Sequence, residues 1–150
     1  MNLDKLREEL AEDEGCKYEI YLDHLGLPTM GIGHLITKDD PEYGKDVGTV
    51  IEQSRVQSAF NLDITVTIED CHRLYKDFDD LPEEAQLIIA NMMFNLGYPR
   101  LSKFKGMKAG VDARSWSSAA DEMVDSRWYT QVPNRARRLV DRMRQIENDA

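Results

Sequence analysis

Between Glu14 and His34 the chain gathers most of the side chains that could do chemistry. Glu14 and Asp23 are separated by eight residues, and a hydroxyl, Thr29, follows after five more. Two carboxylates in unlike surroundings suit cleavage of a glycosidic bond, because one group must donate a proton to the leaving oxygen while the other stays ionised. Glu14 is the candidate acid and Asp23 the candidate base. The chain holds 28 acidic residues, so spacing alone also allows both to be solvated surface groups.

The elements that position these groups follow from hydrophobic period. Leu3, Leu6 and Leu10 recur at helical spacing, and Gly15 offers a stop, which puts Glu14 on a last helical turn. There the negative end of the helix dipole disfavours its ionised form. Cys16, Tyr18, Ile20 and Leu22 then alternate with Lys17, Glu19, Tyr21 and Asp23, the two-residue repeat of a half-buried strand. A turn through Asp23-His24-Leu25-Gly26 leads to a second strand, Thr29 to His34. In that strand small residues alternate with apolar ones, so another backbone or a ligand can approach closely. The hairpin, folded back on the helix end, can face Asp23 and Thr29 toward Glu14.

At these residues the chain resembles the phage lysozymes of the T-even type, whose signature is a Glu, eight residues, an Asp, five residues and a Thr. Gly31-Ile32-Gly33-His34-Leu35 is similar to the family's next segment, and two distant blocks, Asn91 to Gly97 and Ser126 to Arg135, agree in order. The resemblance implies an α+β, mainly helical, two-lobed fold. A small β-hairpin lobe spans about residues 15–62, a larger helical lobe takes 1–14 plus 63–150, a long helix joins them, and a cleft lies between. It further implies an endolysin that hydrolyses the β-1,4 bond between N-acetylmuramic acid and N-acetylglucosamine in peptidoglycan, with inversion, leading to lysis of the host cell. In that reading Glu14 protonates the leaving oxygen, and Asp23 with Thr29 positions a water. The family's sugar-contact positions fall on Leu35, Phe94, Met107 and Glu122. The first two match in type, whereas Met107 and Glu122 replace smaller polar residues. By the same resemblance Arg135 holds Glu14, and Asp63 pairs with His34. The region after His34 is about ten residues shorter than in the T-even type, so a small helix there is expected to be missing.

Elsewhere, Thr49-Val50-Ile51-Glu52 has the spacing of a capping box and predicts a helix from there to about Tyr75. The β-branched run Ile64-Thr65-Val66-Thr67-Ile68 within it is also compatible with a strand by propensity, although the reading is one long helix. Pro82 opens an apolar helix that ends at Gly97. Leu101 to Phe104 reads as a short segment and Ser115 to Val124 as a helix, with a last helix following Pro133. In the family the positions of Trp116 and Trp128 are core.

A chain of 150 residues with 41% hydrophobic and 31% charged composition is one compact protein with a sizeable core. No apolar run approaches bilayer length, and no basic and apolar leader opens the chain. The expectation is synthesis in the host cytoplasm, no membrane insertion, and action on the cell wall after release. Cys16 and Cys71 are read as buried free thiols, with pairing left open. The net charge is −9, and residues 126–150 carry six Arg against three acids, so the first 125 hold 13 basic and 25 acidic residues, a net of −12. Such a surface repels duplex DNA, excluding nucleic acid as partner, and is a handicap toward anionic peptidoglycan. No metal-ligand cluster or phosphate-cradling loop is present in the sequence, so no cofactor is expected, and the protein is read as a monomer. Two other classes fit the composition: a peptidoglycan-binding module that has lost catalysis, and an acidic helical interaction protein. Turbidity loss of bare walls excludes the first, and stabilisation by chito-oligosaccharide the second.

Overall fold

The computed structural model describes residues 1–149. Leu3–Glu14 forms α1, which buries Leu6 and Leu10. It stops where Gly15 turns to a φ of 72° and donates its N–H to the Ala11 carbonyl at 2.9 Å. Glycine is the residue that takes this left-handed conformation without a Cβ penalty. Glu14 is thereby the last residue of the helix.

Three antiparallel strands follow in the order β1 (Lys17–Leu22), β2 (Pro28–Gly31) and β3 (His34–Leu35). The single strand expected over Thr29 to His34 is therefore two strands. Gly31 and Gly33, with φ of 61° and 64°, turn the chain back at Ile32-Gly33. In β1 only Ile20 is buried, because the register shifts between Lys17 and Tyr21 and breaks the two-residue alternation. Cys16 precedes β1 and is exposed, a correction to the buried thiol expected there. Cys71 is buried, both thiols are free, and burial pushes the Cys71 thiol pKa up.

Residues 36–52 hold turns and no helix, in keeping with the shortening read from the sequence. The segment is pinned to β1 by Ile20 N–H on the Thr49 carbonyl and Ile51 N–H on the Tyr18 carbonyl, each at 2.9 Å. Helix α2 (Gln53–Leu74) starts later than the capping box suggested. The Thr49 hydroxyl donates to the Asp46 carbonyl at 2.6 Å instead of capping, and the Glu52 carbonyl receives the N–H groups of Arg55 and Val56. The β-branched run is helical, with Ile64 and Thr67 buried, so packing overrides propensity. Arg7 of α1 stacks over Phe60 at 5.1 Å and donates to the Asn61 amide oxygen at 2.5 Å.

The rest of the chain is helical: α3 (Glu83–Leu96), α4 (Tyr98–Leu101), α5 (Lys105–Asp112), α6 (Trp116–Val124), α7 (Arg127–Gln131) and α8 (Pro133–Asp149). Helix α3 is buried along most of its length, as its apolar composition requires, and it packs on α8, while α6 packs on both α5 and α8. Gly110 lets α5 approach the Ala119 backbone so closely that a Cβ there would lie 2.7 Å from the Ala119 nitrogen. Trp116 and Trp128 are core.

By internal contacts the chain divides into Leu3–Thr67 and a second unit of Met1–Asn2 with Ile68–Ala150. This grouping sets α1 with the sheet, where the sequence expectation assigned it to the helical lobe. It also places the boundary inside α2, after Thr67.

Candidate active site

Glu14, Asp23, Thr29 and Leu35 all belong to the first unit. The end of α1 delivers Glu14 to the turn between β2 and β3, where its carboxyl lies against the α-carbon of Gly33. A Cβ built on Gly33 would come within 2.5 Å of the Glu14 Oε1. The close approach expected here of another backbone or a ligand is made at Gly33 by a carboxyl group of the chain itself.

Asp23 sits in the turn between β1 and β2. Its N–H donates to the Leu27 carbonyl at 3.0 Å, and its Oδ1 accepts the N–H groups of both Leu25 and Leu27 at 2.9 Å. This is the local turn chemistry for which Asp is favoured. One carboxylate oxygen is committed to the backbone, and Oδ2 keeps its lone pairs for a ligand. Thr29 is 3% exposed, and its hydroxyl donates to the Leu27 carbonyl at 2.9 Å, which leaves Oγ1 able to accept.

Register sets Thr29 in a row with two other side chains. Tyr21 pairs with Thr29, and Thr29 with Leu35. Directly opposed residues point to the same face of a sheet, so Tyr21, Thr29 and Leu35 form one row. Leu35 is 46% exposed in that row. Tyr21 was not picked out by its sequence context. Burial, and then the negative charges of Glu14 and Asp23, raise its phenol pKa, while the Gly33 backbone amide acts to lower it.

The opposite face carries Met30 and His34, which are paired and buried. His34 Nδ1 lies 2.7 Å from Asp63, as the resemblance implied, and Nε2 lies 3.0 Å from Asp40, which it did not. Arg55 joins Asp40 at 3.0 Å and clasps the buried Glu42 with two bonds of 2.8 and 3.0 Å. The shortened segment is thus held by a network of charges where a helix was expected to be missing. Burial resists protonation of His34, but Asp63 and Asp40 outweigh it and raise the pKa. Burial likewise opposes the ionised form of Asp40, and the Thr37 amide, His34 and Arg55 prevail and lower its pKa.

The sign of the linkage follows. The His34 contribution is whole below the unfolded value of about 6.5 and is lost as pH rises through the raised folded pKa. The Asp40 contribution is present above the unfolded carboxylate value and is lost as pH falls through its lowered pKa. A double-mutant cycle of His34→Gln and Asp63→Asn should show coupling on the order of 1 kcal/mol at mildly acidic pH. The coupling should vanish well above the folded His pKa. Zero coupling at the lower pH would remove the pair as a stabilising interaction.

The second unit holds the other expected contacts. Phe94 is half-buried on α3, Met107 is 1% exposed on α5, and Glu122 is exposed on α6 with its carboxyl against the α-carbon of Gly106. Met107 and Glu122 both line a pocket of about 560 Å³ whose wall includes Phe104 and the core residue Trp128. The indole N–H of Trp128 donates to Asn95 at 2.8 Å. Arg100, Lys103, Lys105 and Arg127 also line this pocket, against Glu122 and Asp125, so its charge is opposite to that of the whole chain. Arg135 is buried on α8, with Nε donating to the Asn91 side chain at 2.8 Å. Among the described residues no cluster of His, Cys, Asp and Glu suits a metal ion, and no helix is long and apolar enough to cross a membrane.

Residues 11–147 match the family described as Phage lysozyme. Over 154 residues the chain is 34% identical to the Probable T4-type lysozyme 2 of Dictyostelium discoideum, covering 90% of this chain and 91% of that protein. It is 28% identical to the Pre-baseplate central spike protein Gp5 of Enterobacteria phage T4, covering 90% of this chain and 27% of that one. With the Peptidoglycan hydrolase gp36 of Pseudomonas phage phiKMV the identity is 26%, over 91% of this chain and 15% of the relative. With the family matched from α1 to α8 and a relative 34% identical over nearly the whole chain, the chain belongs to the phage lysozyme family and is a glycoside hydrolase.

Proposed function

We propose that the protein hydrolyses the β-1,4 bond between N-acetylmuramic acid and N-acetylglucosamine in bacterial peptidoglycan, with inversion at the anomeric carbon. Glu14 donates a proton to the leaving oxygen as the bond breaks. A water on the opposite face of the sugar ring then attacks, losing its proton to Asp23. The observation that carries this reading is the division of labour around the Leu27 backbone. Asp23 Oδ1 is committed to two amides, and the Thr29 proton to the Leu27 carbonyl. A water between them can donate one hydrogen to Asp23 Oδ2 and the other to Thr29 Oγ1, which aims an oxygen lone pair away from both. Leu35, in the same row as Thr29, offers an exposed apolar surface to the sugar. Phe94, Met107 and Glu122 are read as contacts to the glycan from the helical unit. The relatives named as lysozymes and as a peptidoglycan hydrolase support the substrate class. The protein is read as a monomer made in the host cytoplasm that meets the wall after release.

The test is product analysis. Purified walls digested with the protein should yield fragments ending in reducing N-acetylmuramic acid, with the α-anomer first to appear in proton NMR. Initial release of the β-anomer would replace inversion by retention, and reducing N-acetylglucosamine ends would place the cut at the other bond.

A further inference from the structure

Gly33 meets two groups at once. A Cβ built on it would lie 2.5 Å from Oε1, 2.8 Å from the carboxyl carbon and 3.0 Å from Cγ of Glu14, where ordinary contact begins at 3.4 Å. The carboxyl group occupies the volume that any side chain at this position would take. On its other side the Gly33 backbone amide lies beside the Tyr21 hydroxyl, and Tyr21 is the cross-strand partner of Thr29. The turn that seats Glu14 thereby adjoins the strand that leads into Asp23.

We propose that Gly33 and Tyr21 are positioning residues of the reaction. The bare α-carbon of Gly33 seats the Glu14 carboxyl, and a bond from its N–H to the neighbouring Tyr21 hydroxyl would fix that seat relative to Asp23 and Thr29. The physical need is clear from the side chain itself. Glu has three rotatable bonds, and a general acid must be held to within about 0.5 Å of its productive place. A single methyl at Gly33 pushes the carboxyl by roughly an ångström, and a displacement of that size can cost about 100-fold in rate. The proposal rests on Glu14 as the acid.

Gly33 has a positive φ, so any substitution there also strains the backbone, and the experiment must separate the two effects. Gly31 supplies the control, since its φ of 61° matches that of Gly33 while its added Cβ would meet Val56, at 2.8 Å from Cγ1. Gly31→Ala and Gly33→Ala should both lower thermal stability. Measured on purified walls at a temperature where both are folded, Gly33→Ala should lower kcat about 100-fold at nearly constant KM, and Gly31→Ala should keep the wild-type kcat. Gly33→Asn tolerates a positive φ better and places the same Cβ, so it should lose kcat equally and serves if the alanine variant does not fold. Tyr21→Phe keeps the ring and should lower kcat up to about tenfold with little change in KM or stability. Wild-type kcat in folded Gly33→Ala or Gly33→Asn, or equal losses at Gly31 and Gly33, overturns the proposal. Full activity in Glu14→Gln would instead remove the acid on which it rests, whatever the glycine variants do.

Discussion

Glu14→Gln is expected to abolish wall hydrolysis while leaving the fold intact. A positioned general acid contributes roughly 10²- to 10⁴-fold, and an amide of the same shape has no proton to give the leaving oxygen. The substitution is nearly isosteric, which matters because the Glu14 carboxyl lies against Gly33 in space that a larger group could not share. It also leaves the end of α1 unchanged, where Gly15 and the Ala11 carbonyl set the stop. Turbidity loss of purified walls should fall to background, with the melting temperature within about 2 °C of wild type. Retained lysis in a variant of normal stability would take the acid's role from Glu14 and with it the reading of the whole stretch.

Much of this was legible in the residues. The period change at Gly15 places Glu14 at a helix end, and the turn residues after Leu22 place Asp23 at the mouth of a hairpin. Both are local events written in local chemistry. What was not legible depends on partners distant in sequence or on backbone signs that residue types only hint at. Gly31 and Gly33 read as small residues in one strand, but their positive φ angles turn the chain and make two. Tyr21 looked like the solvent side of an alternating pattern, and the register shift in β1 brings it opposite Thr29 instead. His34 has a second partner in Asp40, which only the folding of the 36–52 segment supplies. Helices α5 and α7 are short, and their apolar positions pack on neighbours that no local window contains.

Net charge does not describe every part of the surface. A value of −9 predicts repulsion from an anionic sheath. The pocket between α4, α5, α6 and α7 nevertheless collects Arg100, Lys103, Lys105 and Arg127. Three of these come from residues 100–105, in and beside the stretch Leu101 to Phe104 that reads in sequence only as a short segment. Encounter with a polyanion is governed by the potential where the ligand lies, within a Debye length of about 8 Å at physiological ionic strength, rather than by the sum over the surface.

Asp23 has two jobs, and a pair of variants should separate them. Asp23→Asn keeps an oxygen that can accept the Leu25 and Leu27 amides, so the turn survives and the melting temperature should stay near wild type. Its other terminus becomes an NH₂ donor facing the water that Oδ2 should have received, which turns the water's hydrogens away and leaves no base. The rate should fall by roughly 10²-fold or more, with a residue of activity, because a water held by Thr29 keeps some reactivity without a base. Asp23→Ala loses the base and the turn acceptor together. Its chemical loss should be similar, but two amides that were bonded to Oδ1 must turn to solvent, at a cost of about 0.5–1.5 kcal/mol and a fall of about 2–4 °C in melting temperature. Lysis rates and melting curves on the two variants decide between the roles. A wild-type rate in Asp23→Asn would remove Asp23 from the chemistry. Equal thermal losses in both variants would show that the charge of Asp23, and not the oxygen at its turn-facing end, holds the hairpin.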